Sequence, residues 1–204
     1  VGAAFDYAAL GCTHHCYDDI AILRAQPGMQ IVYPEAAHEF DALFRETWNN
    51  GSPTYFRLSE RKHAIATSPK FGEVEKLREG NDITLAVAGP QIENAQEAAE
   101  EAGKNGIACD LIYLTTIKPL SRGAKKVIQD SLRKTGRLVT VEEHSIVGGI
   151  ADEIRIVSGD VPFKEKRVGI EDKFLVNYGT YDEHCRANNL TKEGILKAIH
   201  ESKR

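Results

Sequence analysis

Residues 82–104, DITLAVAGPQIENAQEAAEEAGK, carry the signal that decides the fold. Ile83 to Ala88 is an apolar run of strand length, as expected of a strand covered on both faces. Gly89-Pro90 turns the chain, and Gln91 to Lys104 places Ile92, Ala95, Ala99 and Ala102 on one helical face. A doubly covered strand followed directly by an amphipathic helix is half of a parallel α/β unit.

Downstream the pattern repeats. Cys109–Leu114 reads as a strand, and Ser121 as the N-cap of a helix presenting Ala124, Val127, Ile128 and Leu132. Leu138–Val141 is the next strand, followed by EEHSIVGG and a helix through Ile154. Arg167–Ile170 is a fourth strand, and Thr191 caps a last helix carrying Ile195, Leu196 and Ile199. Residues 81–204 therefore read as a doubly wound α/β domain.

Upstream, MQIVY at Met29–Tyr33 is a short strand stopped by Pro34. The helix EAAHEFDALFRETWNNG follows, with Phe40, Leu43, Phe44 and Trp48 on one face and Gly51 placed to end it, and then the strand Thr54–Leu58. This is one βαβ unit within residues 1–62, too little to bury a parallel sheet alone. Residues 63–80 are polar, broken by Gly and Pro, and read as a linker.

The bulk properties narrow the function. The 204 residues carry a net charge of -4, with 42% apolar and 27% charged residues. That balance suits a soluble globular protein and provides no basic field for a phosphate backbone, so nucleic acid is excluded as a partner. No apolar stretch approaches the roughly 20 residues that span a bilayer, so no membrane partner is expected and the expected location is the cytoplasm. Cys12, Cys16, Cys109 and Cys185 are scattered and read as reduced thiols. The opening VGAAFDYAAL lacks a Met and reads as the interior of a longer sequence.

The densest chemistry lies in GCTHHCYDDIAILRAQPGMQIVYP, Gly11–Pro34. Zinc on Cys12, His14, His15 and Cys16 would need four ligands within five residues with hardly any loop between them, and no second cluster completes such a site. A cysteine hydrolase would need an oxyanion turn, and nothing around Cys12 or Cys16 resembles one. The third reading is a turn at Gly11–His15 that presents an imidazole to a ligand, with Asp19 and Ile20 starting a short helix behind it. In the second half, Glu142, Glu143 and His144 end a strand and read as structural or interfacial, while Tyr181, Asp182, Glu183 and His184 read as a solvated turn.

The same Gly11–Pro34 stretch resembles the "G-x-T-H-H/Q … D-I-A … P" segment of the transketolase pyrimidine-binding domain, and GSPTYFRLSER resembles the strand that follows it. DITLAVAGPQIENAQEAAE, IYLTTIKPL, LVTVEEHSIVGGIADEI and VGIEDKFLVNYGTYDEHCRANNLTKEGILKAI resemble the transketolase C-terminal domain, in order. The resemblance implies a C-terminal portion of a transketolase: the second half of the pyrimidine domain (1–62), a linker (63–80) and the C-terminal domain (81–204).

It further implies transfer of a two-carbon ketol unit between sugar phosphates on thiamine diphosphate with Mg²⁺. The cofactor-binding residues are expected upstream of Val1, so the chain alone is expected to bind no cofactor and to be inactive. A homodimer and a separate N-terminal transketolase subunit are the implied partners. By position, His14 matches the family histidine beside the reacting carbons, with His15 as a neighbouring substrate contact. Leu10 stands where many members have an acidic residue, and Gly2 where a second histidine is found. Glu60 stands where the phosphate-binding arginine is found, which leaves Arg57 and Arg61 as the anion-binding candidates. Alternatives are a fragment like deoxyxylulose-phosphate synthase or the beta chain of a 2-oxoacid dehydrogenase, or a non-catalytic interaction domain.

Overall fold

The computed structural model describes residues 2–203; Val1 and Arg204, the ends of the expected segments, lie outside the described residues. The described residues form two sheets. The larger has the order β3 (Glu75–Arg78), β5 (Cys109–Tyr113), β4 (Ile83–Ala88), β7 (Arg137–Ser145), β8 (Lys164–Ile170), and all neighbours are parallel except the edge strand β3. The smaller has the order β2 (Thr54–Phe56), β1 (Gln30–Val32), β6 (Thr116–Lys118), with β1–β2 parallel and β1–β6 antiparallel. Because β6 follows β5 in the chain, the later residues complete the sheet begun by the earlier ones.

Each face of the larger sheet has its own core. Leu85, Val87 and Val139 pack under α3 (Ile92–Lys104) and α7 (Lys192–Lys203), where Ala95, Ala99, Ala102, Ile195 and Ile199 are buried. Ala86, Ala88 and Leu138 pack under α4 (Arg122–Thr135) and α5 (Ile150–Ser158) through Ile128, Leu132, Ile150 and Ile154. Ser121 caps α4 as expected, its hydroxyl accepting from the Ala124 N–H at 3.0 Å, and the Thr191 hydroxyl accepts from the Gly194 N–H at 3.2 Å. The doubly wound reading holds.

Three local readings change or sharpen. The expected linker contains β3, whose alternation is hidden in the charged sequence EKLR because edge strands tolerate charge. The helix α2 (Ala37–Thr47) buries Leu43, but Phe40, Phe44 and Trp48 are 37%, 43% and 66% exposed. Its aromatic side faces away from both cores; Phe40 and Phe44 stack on each other, and both meet the Phe56 ring of β2 at a tilt. Third, Tyr181–His184 is no solvated turn: it starts α6 (Tyr181–Ala187), closed by a capping box between Thr180 and Glu183, with His184 fully buried.

Chain order places β5 and β7 on opposite sides of β4, so the crossovers diverge there and leave a crevice at the carboxyl ends of β4 and β7. Residues of the N-terminal segment close that crevice. Gly89 makes the close approach possible: at φ 78°, a Cβ there would lie 2.4 Å from the Tyr33 ring.

Candidate functional site

The turn that carries the histidines is built on Gly11. Its φ is 70°, and a Cβ would fall 2.6 Å from the Tyr178 ring, so a side chain is excluded on both counts. The turn follows a kinked 3₁₀ segment (Ala8–Thr13) and leads into the helix α1 (Asp19–Arg24), which starts at Asp19 as the sequence suggests.

His14 is partly exposed on this turn. Its Nδ1 lies 2.8 Å from the Thr13 hydroxyl, and that hydroxyl is 3.3 Å from the Leu10 carbonyl. When Thr13 donates to Leu10, His14 donates through Nδ1–H, and Nε2 is left with a lone pair. His15 turns the other way. Its ring packs edge-on against Phe5 (5.4 Å) and His184 (4.6 Å). Burial, with the His184 charge second, lowers its pKa.

Arg57, at the end of β2, is fully buried. Its Nε donates to Asp19 Oδ2 at 2.8 Å, and Nη2 donates to the carbonyls of Cys16 (2.9 Å) and Glu143 (3.1 Å). One side chain thus ties the histidine turn, α1 and the end of β7 together. Burial alone would raise the Asp19 carboxyl, but the Arg57 charge and hydrogen bonds from Arg57 and Tyr55 bring it below the usual carboxylate range. Arg61 is exposed; its guanidinium lies 3.9 Å above the Tyr181 ring centroid.

The acidic cluster at the crevice joins the two parts of the chain. Glu142 accepts from the Ile150 N–H at the start of α5 (2.9 and 3.0 Å), and burial pushes its pKa up to about 7. Glu143 accepts from Gln91 Nε2 at 2.7 Å and from the Tyr181 hydroxyl. His144 accepts at Nε2 from the Ala21 N–H of α1 (3.3 Å) and donates through Nδ1 to the Ser145 carbonyl (2.7 Å); burial and the Arg57 charge lower its pKa to about 4. These contacts match the structural and interfacial reading of the three residues.

Sequence reading missed Glu35 and Glu39. Glu39 is fully buried at the start of α2, accepting from Thr67, His63 and Tyr113 and from the Glu35 N–H. Glu35 is 3% exposed, with Oε2 accepting from Ser59 Oγ at 2.9 Å and Oε1 unpartnered. Burial raises its pKa from an ordinary 4.5 to about 9. The signal available was Pro34 ending a strand whose next residues must turn across the crevice mouth.

A pH prediction follows from Glu35. Its folded form holds a proton that the unfolded chain releases near pH 4.5, so its contribution to stability is full below that pH and is lost as pH rises towards about 9. Glu35→Gln has no proton to lose and keeps an acceptor for Ser59. The melting temperature of E35Q minus that of the wild type should therefore grow more positive between pH 5 and pH 9. A difference that stays constant across that range would refute it.

Among the described residues, no group of three or more His, Cys, Asp or Glu side chains is placed to hold a metal ion. No described helix is long and apolar enough to cross a membrane.

Residues 2–64 match the family model of the transketolase pyrimidine binding domain, and residues 72–195 that of the transketolase C-terminal domain. The chain is 32% identical to an apulose-4-phosphate transketolase subunit of Phocaeicola vulgatus, over 98% of this chain and 65% of that protein. It is also 32% identical to the 6-deoxy-6-sulfo-D-fructose transketolase subunit SqwH of a Clostridium species, over 94% of this chain and 60% of that protein. A solved structure described as a split gene transketolase, inactive beta4 tetramer, superposes with a TM-score of 0.83 at 27% identity, covering 94% of this chain and 63% of that one. The chain thus spans about two thirds or less of the length of each of these proteins.

Proposed function

Because the chain belongs to the transketolase family, we propose that it is the C-terminal portion of a thiamine-diphosphate-dependent enzyme that moves a two-carbon ketol unit between sugars bearing a terminal anionic group. The cofactor, when bound in the complete enzyme, supplies the electron sink for the carbanion. This chain supplies substrate-facing groups. His14 Nε2 accepts the proton of a sugar hydroxyl beside the reacting carbons, and Arg61 grips the anionic end. Arg57, being enclosed by Asp19, Cys16 and Glu143, holds the histidine turn in place and is unavailable to substrate. His15, packed on Phe5 and His184, likewise supports the turn.

The observation that carries this reading is the presentation of His14 on the Gly11 turn, with Thr13 fixing its ring. Two relatives named for apulose-4-phosphate and for 6-deoxy-6-sulfo-D-fructose fit a substrate other than a standard pentose phosphate. So do Leu10, 50% exposed in the place of an acidic residue, and Glu60 in the place of the usual arginine.

The same reading includes magnesium, a second copy of the chain and a separate N-terminal transketolase partner. The exposed Phe40, Phe44 and Trp48 face of α2 is where the rest of a pyrimidine domain would pack. Domain limits of 1–62 and 81–204, with 63–80 running between them and lending β3 to the larger sheet, are part of the proposal. The test is reconstitution: the chain alone, and the chain assembled with the N-terminal transketolase segments, are assayed for ketol transfer to an aldose acceptor with thiamine diphosphate and Mg²⁺. Transfer by the assembly alone is expected. No transfer by a well-formed assembly, or transfer by the isolated chain, would overturn the reading.

A further inference from the structure

Arg61 is exposed, and its guanidinium forms no direct ion pair among the described residues, although the Asp6 carboxylate lies close enough to feel its charge. The Arg61 backbone N–H donates to Ser59 Oγ at 2.9 Å, Ser59 is itself held by the buried Glu35, and the neighbouring Glu60 N–H donates to Asp6 Oδ2 at 3.1 Å. The loop is therefore fixed on both sides of the residue. Beyond it, the guanidinium lies 3.9 Å above the Tyr181 ring and makes no hydrogen bond or ion pair among the described residues. A guanidinium held by its face keeps its edge donors free, and that edge matches two oxygens of a tetrahedral anion.

Tyr181 is in turn immobilised. It begins α6 behind the Thr180–Glu183 capping box, its hydroxyl donates to the buried Glu143, and the Gln91 amide, 2.7 Å from the same carboxylate, lies 3.3 Å from the Tyr181 oxygen. Its ring also meets Phe5 edge-on at 6.5 Å, and Phe5 packs on His15, the neighbour of His14. The residues that would face the two ends of a sugar thus rest on one aromatic cluster spanning both parts of the chain.

We propose that Tyr181 is a positioning residue: its ring holds Arg61 flat at the crevice mouth so that the guanidinium edge receives the terminal tetrahedral oxyanion, phosphate or sulfonate, of the substrate. This rests on the proposed function for its meaning, but its test does not. Arginine selection at a site where a lysine would supply equal charge follows from the stack, since an ammonium cannot present a planar fork.

The test follows the Arg61 side-chain Nε–H resonance of the full chain by NMR while inorganic phosphate, and separately methanesulfonate, is titrated. A saturable shift with either anion is expected, and the tighter of the two identifies the class. Tyr181→Leu should weaken binding about three- to tenfold, Tyr181→Phe should stay within about twofold, and Arg61→Gln should abolish the saturable response. Equal binding by Y181L and wild type, or no saturable shift with either anion, would overturn the proposal. Should Y181L fail to fold, the wild type decides: the stacked Arg61 side-chain protons should resonate upfield of those of unstacked arginines, and random-coil positions would overturn it. Failed ketol transfer with phosphate binding intact would sink the proposed function and leave Tyr181's role standing; the converse result would sink only the latter.

Discussion

Replacing Arg57 with Met should lower the unfolding free energy by about 3–5 kcal/mol, because it strands the buried Asp19 carboxylate without its cation. Arg57 is fully buried and Asp19 is 8% exposed, so water cannot take over the screening. The substitution also frees the Cys16 and Glu143 carbonyls, which Nη2 joins. Met keeps most of the apolar stem but loses the guanidinium, which lies 4.5 Å from the Tyr33 ring centroid, so the loss reports the charge, its hydrogen bonds and that ring contact more than volume. The double variant Arg57→Met with Asp19→Asn should recover part of the loss, since no unpaired charge remains, and the two changes should be non-additive. Denaturant unfolding of wild type, both single variants and the double variant measures this. An R57M loss below about 1 kcal/mol, or strict additivity, would show that the pair contributes little.

That network also marks the limit of what could be read from residues alone. The strands β4, β5 and β7 and the helices α3 and α4 were legible because covered strands show continuous apolar runs and their helices show 3.6-residue periodicity. β3 and the three-residue β6 were not, since short edge pairings are set by tertiary contact rather than by apolar pattern.

The aromatic face of α2 has the expected period, but periodicity identifies a face and not what lies opposite it, and here the rings of Phe40, Phe44 and Phe56 gather against one another. The capping box at Thr180 and Glu183 was visible in the sequence and would have converted a solvated turn into the helix that carries Tyr181.

The candidate site divides in the same way. The Gly11–His14 turn was legible because its glycine, threonine and histidine are local. The difference between Arg57 and Arg61 was not: both follow the same short strand, and only the packing of Asp19 and Tyr181 makes one a buried tie and the other an exposed receptor. Glu142, Glu143 and His144 were conspicuous, yet their partners Ile150, Gln91, Tyr181 and Ala21 are fixed by topology.

In the reconstituted enzyme, His14→Ala should cut kcat by about 10²–10⁴-fold while leaving the fold intact, the usual range for removing a positioned proton-transfer group. His14 is partly exposed, and its only polar tie among the described residues is to Thr13, so truncation disturbs no buried network. The loss belongs in kcat rather than KM if Nε2 acts on the hydroxyl proton only as bonds to carbon rearrange. His14→Asn would retain a hydrogen-bond group without a base, so it should recover KM but not kcat. Thr13→Val removes the group that holds Nδ1 and should reduce kcat by a smaller factor, since the ring keeps its base but loses its orientation. If H14A raised KM and left kcat unchanged, His14 would be a binding contact, and proton transfer would have to be sought among groups supplied by the rest of the enzyme.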